Sequence, residues 1–319
     1  MDPVKADNPP ALGIVVPCYN EQKVLPEVTR RLQDLLDSLA NEELVARTSS
    51  IWFVDDGSTD NTWDLISENA KQDTKVRGIK LSRNHGHQNA LLAGLHTAQG
   101  DVLVSIDADL QDDISVIKKM LLEFRGGKDI VYGVRDSRTT DALFKRVTAE
   151  GYYHLLRLMG VDIVFNHADF RLMSRRALNA LREYGEVNLF LRGMIPTIGF
   201  PSSIVTYERA RRFAGETKYP LSKMLSLALN GVTSYSVAPL RIISGLGFTI
   251  FLISLLLSVW VLWTKLVSGN AIPGWASSVL PMYLLGGIQL LSLGVIGEYI
   301  AKIYMETKRR PRFIIEEVI

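Results

Sequence analysis

Two short apolar runs in the first third of the chain end in carboxylates, and these carboxylates are the residues best placed to do chemistry. Residues 51–54 lead into Asp55-Asp56-Gly57-Ser58, and residues 102–106 lead into Asp107-Ala108-Asp109-Leu110-Gln111. Residues two positions apart share one face of a strand, so Asp107 and Asp109 can both approach a single hard cation. An oxygen-only site suits Mg²⁺ or Mn²⁺, which keep open positions for water and phosphate oxygens. A metal that bridges two phosphates lets a nucleoside diphosphate leave as a stabilised anion. The Asp55 end offers a second set of oxygens, suited to a cation or a ribose.

Other catalytic signatures do not occur. Pro17-Cys18-Tyr19-Asn20-Glu21 stands where a Gly-rich dinucleotide loop would follow the first strand. There is no Walker loop, no His-Glu-x-x-His and no cysteine cluster. Cys18 is the only cysteine, which excludes an internal disulfide, and it reads as a small buried residue after a strand. His85 and His87 are too few for a zinc centre and read as loop structure or a substrate contact.

The elements that must position these residues are legible from periodicity. Apolar, β-branched runs predict strands over 12–17, 50–54, 76–81, 102–106 and 129–133. Helical spacing predicts helices over 26–39, from the 59–62 region to 71, over 89–98 and over 114–124, with Asp60 or Thr59 as cap of the second. Strands alternating with helices imply right-handed crossovers and an α/β fold with a mostly parallel sheet. Ligands of such sheets bind beyond the carboxyl ends of the strands, where both acidic clusters fall.

The chain has 319 residues and a net charge of +2, so no global basic field argues for nucleic acid. Residues 1–10 are a polar, disordered lead-in with no signal peptide. Residues 242–264 and 275–297 contain no charged residue, and each is long enough for one membrane span. Lys and Arg flank the pair outside, while the link between them carries only Lys265. The positive-inside rule then places both termini in the cytoplasm, as expected of a multi-pass membrane protein. Before the first span, Leu221, Leu225, Ala228, Leu229 and Val232 recur at helical spacing, as in an amphipathic helix lying in the interface. The expected division is a catalytic domain over 11–217, this interfacial region over 218–239, a transmembrane hairpin over 240–304 and a cytoplasmic tail over 305–319. Two acidic strand ends tethered to a membrane hairpin suggest an enzyme that joins a nucleotide-activated donor to a lipid acceptor.

Several ordered motifs together resemble one family. They are Pro17-Cys18-Tyr19-Asn20-Glu21, Val54-Asp55-Asp56-Gly57-Ser58-Thr59-Asp60, Ser82-Arg83-Asn84-His85-Gly86-His87, Asp107-Ala108-Asp109-Leu110-Gln111-Asp112, and Asp169-Phe170-Arg171-Leu172-Met173. With Arg212-Phe213-Ala214-Gly215-Glu216-Thr217-Lys218-Tyr219 and the terminal hairpin, the chain is similar to the family 2 glycosyltransferases that act on polyprenyl phosphates. The group includes dolichol-phosphate mannose synthases and undecaprenyl-phosphate glucosyltransferases of GtrB type.

The resemblance implies a GT-A fold, Rossmann-like with flanking helices. It implies inverting transfer of a hexose, glucose from UDP-glucose first, to undecaprenyl phosphate. GDP-mannose, UDP-GlcNAc or an aminoarabinose donor is the alternative; a processive polysaccharide synthase and an inactive scaffold are weaker readings. It further implies that Pro17, Tyr19, Glu21, Asp55, Arg83 and Gln88 line the donor nucleotide pocket together with Asp107 and Ala108. Asp107, Asp109 and Gln111 would hold Mg²⁺ or Mn²⁺. Asp109 and Asp169 are the catalytic candidates, Asp169 as a positioning residue or a base. Arg135, Arg209 and Arg212 are candidates for the acceptor phosphate, since a guanidinium matches phosphate bidentately. Homo-oligomerisation stays open.

Overall fold

A computed structural model describes residues 8–135, 167–186, 191–208, 238–263 and 275–319. The chain divides into two compact units. One comprises Met1–His154, Asp162–Pro220 and Arg310–Ile319, the other Leu155–Val161 and Leu221–Arg309.

The first unit is built on an eight-stranded sheet of order β7-β5-β6-β4-β1-β2-β3-β8. Its strands are β1 (Leu12–Cys18), β2 (Ser50–Asp55), β3 (Val76–Leu81), β4 (Val102–Ser105), β5 (Ile130–Arg135), β6 (His167–Ser174), β7 (Ser202–Tyr207) and β8 (Ile315–Val318). The helices between them are α1 (Leu25–Asn41), α2 (Thr62–Gln72), α3 (His87–Thr97), α4 (Val116–Arg125), α5 (Arg175–Arg182) and α6 (Leu191–Thr197). The block β3-β2-β1-β4 is parallel, as the alternating pattern predicts.

β1 is buried along its whole length, and a strand buried on both faces needs cover on both. Ile14 and Val16 face one side, where Leu25, Val28, Leu32 and Leu36 of α1 join the same core. Val15 points the other way, onto α3. A Cβ on Gly94 would lie 2.3 Å from a Val15 methyl and 2.8 Å from one of Val54, so only glycine lets α3 sit this close to β1 and β2.

The sheet departs from the five expected strands at its two ends. β6 runs antiparallel between β4 and β5, β7 adds parallel to β5, and β8 adds antiparallel to β3. β6 escaped the apolar pattern because Asp169 and Arg171 interrupt it. β8, Ile-Glu-Glu-Val, escaped because charge on an edge strand hides the period, a common device against unwanted pairing.

In the second unit, α7 (Ala238–Trp263) covers 242–263 of the first uncharged stretch, and α8 (Trp275–Lys308) covers the second and runs on through Glu298, Lys302, Glu306 and Lys308. A groove of about 530 Å³ lies between them, lined by Ile243, Gly247 and Ile250 of α7 and Ile288, Gln289 and Ser292 of α8. Among the described residues, no helix is long and apolar enough to cross a membrane. The expected interfacial helix over 218–239 falls almost entirely outside the described residues, as does the 265–274 link.

Candidate active site

Register brings the acidic strand ends together. In the parallel block Cys18 of β1 is level with Asp55 of β2, and Val15 is level with Ser105 of β4. Three residues further along both chains, the 107–109 turn therefore lies beside Cys18 and Asp55. On the other side β4 meets β6 antiparallel, with Ser105 opposite Arg171. Continuing that register by two residues sets Asp107 opposite Asp169. The Ser105 hydroxyl donates to the Asp169 carbonyl and holds the two strands in step. The crevice thus opens where the strand order reverses around β1, at the carboxyl ends of β1, β2 and β4.

The β1 and β2 loops are laced to each other. Asn20 lies in the left-handed region at φ 56°; its N–H donates to the Ser58 hydroxyl, and its side-chain oxygen accepts the Thr59 N–H. The Glu21 N–H donates to the Thr62 hydroxyl oxygen. The α2 cap, expected at Asp60 or Thr59, is instead Asn61, which makes no side-chain cap bond; Asp60 accepts the Thr62 N–H at 3.0 Å. Tyr19 is left 46% exposed at the rim, whereas Pro17 and Ala108 are buried.

Asp55 is fully buried and accepts the Ser58 N–H; burial raises its pKa. Asp56 reaches across to the next loop and accepts the N–H groups of His85 (2.7 Å) and Gly86 (2.9 Å). Gly57 sits beneath that loop at φ 66°, and a Cβ there would lie 2.4 Å from the Arg83 carbonyl carbon. These constraints present exposed Arg83 and, at the start of α3, His87. Gln88, half-buried, accepts the Leu191 N–H, which ties α3 to α6.

His87 bridges the two acidic sites. Its Nε2 lies 3.4 Å from Asp107 and 3.5 Å from Asp169. Desolvation works against the imidazolium, but the two carboxylates outweigh it, and the His87 pKa is raised. Asp107 is pushed up to about 6, first by burial and then by Asp169, Asp112 and Asp109, with His87 pulling the other way. Asp169 is 6% exposed and also buried, yet its carboxyl is held well below the usual range, because His87, Arg171 and Arg192 together overcome the desolvation. Arg171 is itself fully buried against Asp169, and Arg192 makes a forked contact at 3.2 and 3.3 Å.

The 107–112 turn is strained at one point. Leu110, a branched residue, takes φ 54°, between Asp109 and buried Gln111. Such an outlier on a bulky side chain persists only where its surroundings hold it, and these cluster at working sites. The Asp109 carboxylate accepts the Gln111 N–H at 3.1 Å. Below the turn, buried Asp112 accepts from Tyr207 at 2.6 Å and from Arg135 at 3.1 Å. Arg135, an acceptor-phosphate candidate, is therefore engaged from within the fold. Arg209 and Arg212 lie outside the described residues.

Among the described residues no group of three or more His, Cys, Asp or Glu is arranged to hold a metal. Mg²⁺ and Mn²⁺ need fewer protein ligands than that, because one or two carboxylates plus substrate phosphates complete their shell. The Asp107-x-Asp109 turn fits that demand by its donor set: two carboxylates two residues apart, with the Gln111 amide oxygen in the same turn.

Sequence reasoning did not single out Asp112, Arg192 or Tyr207. Arg171 was within reach, since it stands two residues from Asp169 on the same strand face. Arg192 and Tyr207 carry no local signal, because only the tertiary fold brings them to the crevice.

Comparison with known proteins places these features in a family. The model for "Glycosyl transferase family 2" matches residues 13–182. An uncharacterized glycosyltransferase of Bacillus subtilis (strain 168), YkoT, is 52% identical over 309 residues, spanning 96% of this chain and 91% of that protein. A prophage bactoprenol glucosyl transferase homolog of Escherichia coli (strain K12) is 38% identical over 308 residues, spanning 96% and 99%. A bactoprenol glucosyl transferase of Shigella phage SfX is 38% identical over 306 residues, spanning 96% and 98%.

Proposed function

The chain belongs to glycosyl transferase family 2, and from that premise we propose that its crevice transfers glucose from UDP-glucose, with inversion, to a polyprenyl (undecaprenyl) phosphate. The observation that carries the reading is the meeting of three strand ends: Asp55 on β2, the Asp107-x-Asp109 turn after β4, and Asp169 opposite Asp107 on β6. Relatives named as bactoprenol glucosyl transferases align along nearly the whole chain, which supports this substrate pair over others.

In this reading the laced loops 17–22 and 55–62 form the nucleoside side, with Tyr19, Glu21 and Asp55 at the pocket. Asp107, Asp109 and Gln111 would hold Mg²⁺ or Mn²⁺, which would supply the positive charge that stabilises the departing diphosphate. Asp169 stays ionised beside Arg171 and Arg192. A phosphate monoester is already an anionic nucleophile at neutral pH, so Asp169 need not remove a proton; it orients the acceptor side. Arg192 at its edge, with Arg135, Arg209 and Arg212, would offset the meeting of two anions.

We place the uncharged stretches 242–264 and 275–297 in the membrane, with the catalytic region 11–217 on the cytoplasmic face; residues 310–319, expected as part of a tail, supply strand β8 of the catalytic sheet. Residues 242–264 and 275–297 contain no charge and are each long enough for one span. Large apolar side chains of α7 stand exposed, Phe248 at 63% and Leu256 at 69% among them, as a lipid-facing helix requires.

Membranes carrying the protein, given labelled UDP-glucose, undecaprenyl phosphate and Mg²⁺ or Mn²⁺, should yield a lipid-linked glucose that chelation abolishes. Product with GDP-mannose, UDP-GlcNAc or an aminoarabinose donor instead would move the reading to that sugar. No lipid-linked product from any of them would overturn it.

A further inference from the structure

Residues 314–319 pair with β3 up to the first residue of the loop that carries Arg83. Gly78 of β3 and Ile319 exchange both backbone hydrogen bonds, at 3.0 and 2.9 Å. In an antiparallel ladder the next such exchange falls two residues along, at Lys80 and Glu317, which stand opposite each other. A register shift between Lys80 and Leu81 then brings the Ile314 carbonyl to the Ser82 N–H at 3.0 Å. The pairing therefore runs past β3 onto the first residue of the loop. Away from the loop, the Phe313 ring meets the His96 ring edge-on at 6.3 Å, in the last turn of α3. Lys80 and Glu316 add a 3.0 Å ion pair, and Arg312 donates to the Tyr184 carbonyl. Glu316, Glu317 and Val318 are exposed, so this strand buries little apolar surface. Its backbone hydrogen bonds run along β3 to Ser82, where the chain turns into the crevice loop.

We propose that residues 312–319 are a positioning element for the donor half of the crevice: the strand sets the 82–86 loop, and with it Arg83 and His87, from the β3 side, while Asp56 sets it from within. The inference rests on reading that crevice as a nucleotide-sugar site. These residues act through the loop and touch no substrate themselves.

The test is Glu317→Pro in the full chain, which removes one ladder N–H, with Glu317→Ala as the control that keeps it. Amide hydrogen exchange at residues 82–87 should accelerate in the proline variant and not in the alanine variant. The KM for UDP-glucose should rise roughly tenfold, the order expected of one lost restraint, with kcat changed less. A folded proline variant with wild-type exchange at 82–87 and wild-type KM would overturn the proposal. Should that variant not fold, Lys80→Glu must raise KM and the exchanged pair Lys80→Glu/Glu316→Lys must restore it; failure of either overturns the proposal. If the wild type uses no UDP-glucose, the functional reading fails, while the exchange comparison still decides this one.

Discussion

At the end of β2 the carboxylates accept backbone amides. Asp55 accepts the Ser58 N–H, and Asp56 accepts those of His85 and Gly86. At the end of β4, Asp107 instead faces side chains, the imidazole of His87 and the Asp169 carboxylate opposite it on β6. Both ends read alike in sequence, as an apolar run closing on two acids. The difference is what the acids meet. A carboxylate that accepts amides from the next loop fastens one loop to another; a carboxylate that faces side chains at the crevice keeps oxygens that a ligand can meet.

The sharpest way to break this contrast is Asp109→Ala. If the β4 end works on the ligand and does not hold the fold, glucose transfer should fall by about a thousandfold or more, with the melting temperature nearly unchanged. A variant retaining transfer would remove the distinction. Asp169→Ala probes the ground between the two ends, because it strands Arg171 as a buried charge without its partner. Denaturant unfolding should show a loss of about 3–5 kcal/mol, together with lost activity. Asp56→Ala addresses the β2 end. It strips two charge-assisted bonds from the 85–86 backbone, so stability should fall by about 2–3 kcal/mol and transfer should weaken with it. Equal stability with reduced activity would make Asp56 a ligand contact, against the contrast.

The smallest effect serves as a control outside the crevice. Burial, with Arg182 and Arg312 nearby, lowers the His96 pKa to about 4. The unfolded chain takes up this proton near 6.5, so the neutral ring's contribution is present above that pH and is lost as pH falls toward 4. Allowing for partial solvent screening, about 1 kcal/mol is at stake, and His96→Phe should flatten that part of the stability–pH curve without altering transfer at pH 7.5.

Much of this was legible in the residues. The parallel block β3-β2-β1-β4 announced itself through continuous apolar runs, and the Asp-x-Asp spacing marked the turn that ends β4. The β6 strand was hidden because its buried Asp169 and Arg171 compensate each other through space, so the strand tolerates charge that its sequence pattern would forbid. The different employment of Asp55 and Asp56 was equally hidden, since it depends on loop 82–86 passing over Gly57, a contact between segments with no shared local signal. Arg192 and Tyr207 reach the crevice only through tertiary folding.

One feature of the sheet bears on how the protein is made. β3 and its partner β8 are separated by roughly 230 residues, including both long helices. At about 5–20 residues per second, that interval is on the order of 10–50 s of synthesis. Throughout it, the outer edge of β3 offers unpaired N–H and C=O groups to any passing strand. The nascent chain is therefore most open to misassociation while α7 and α8 are being made, and the sheet closes only after both have left the ribosome.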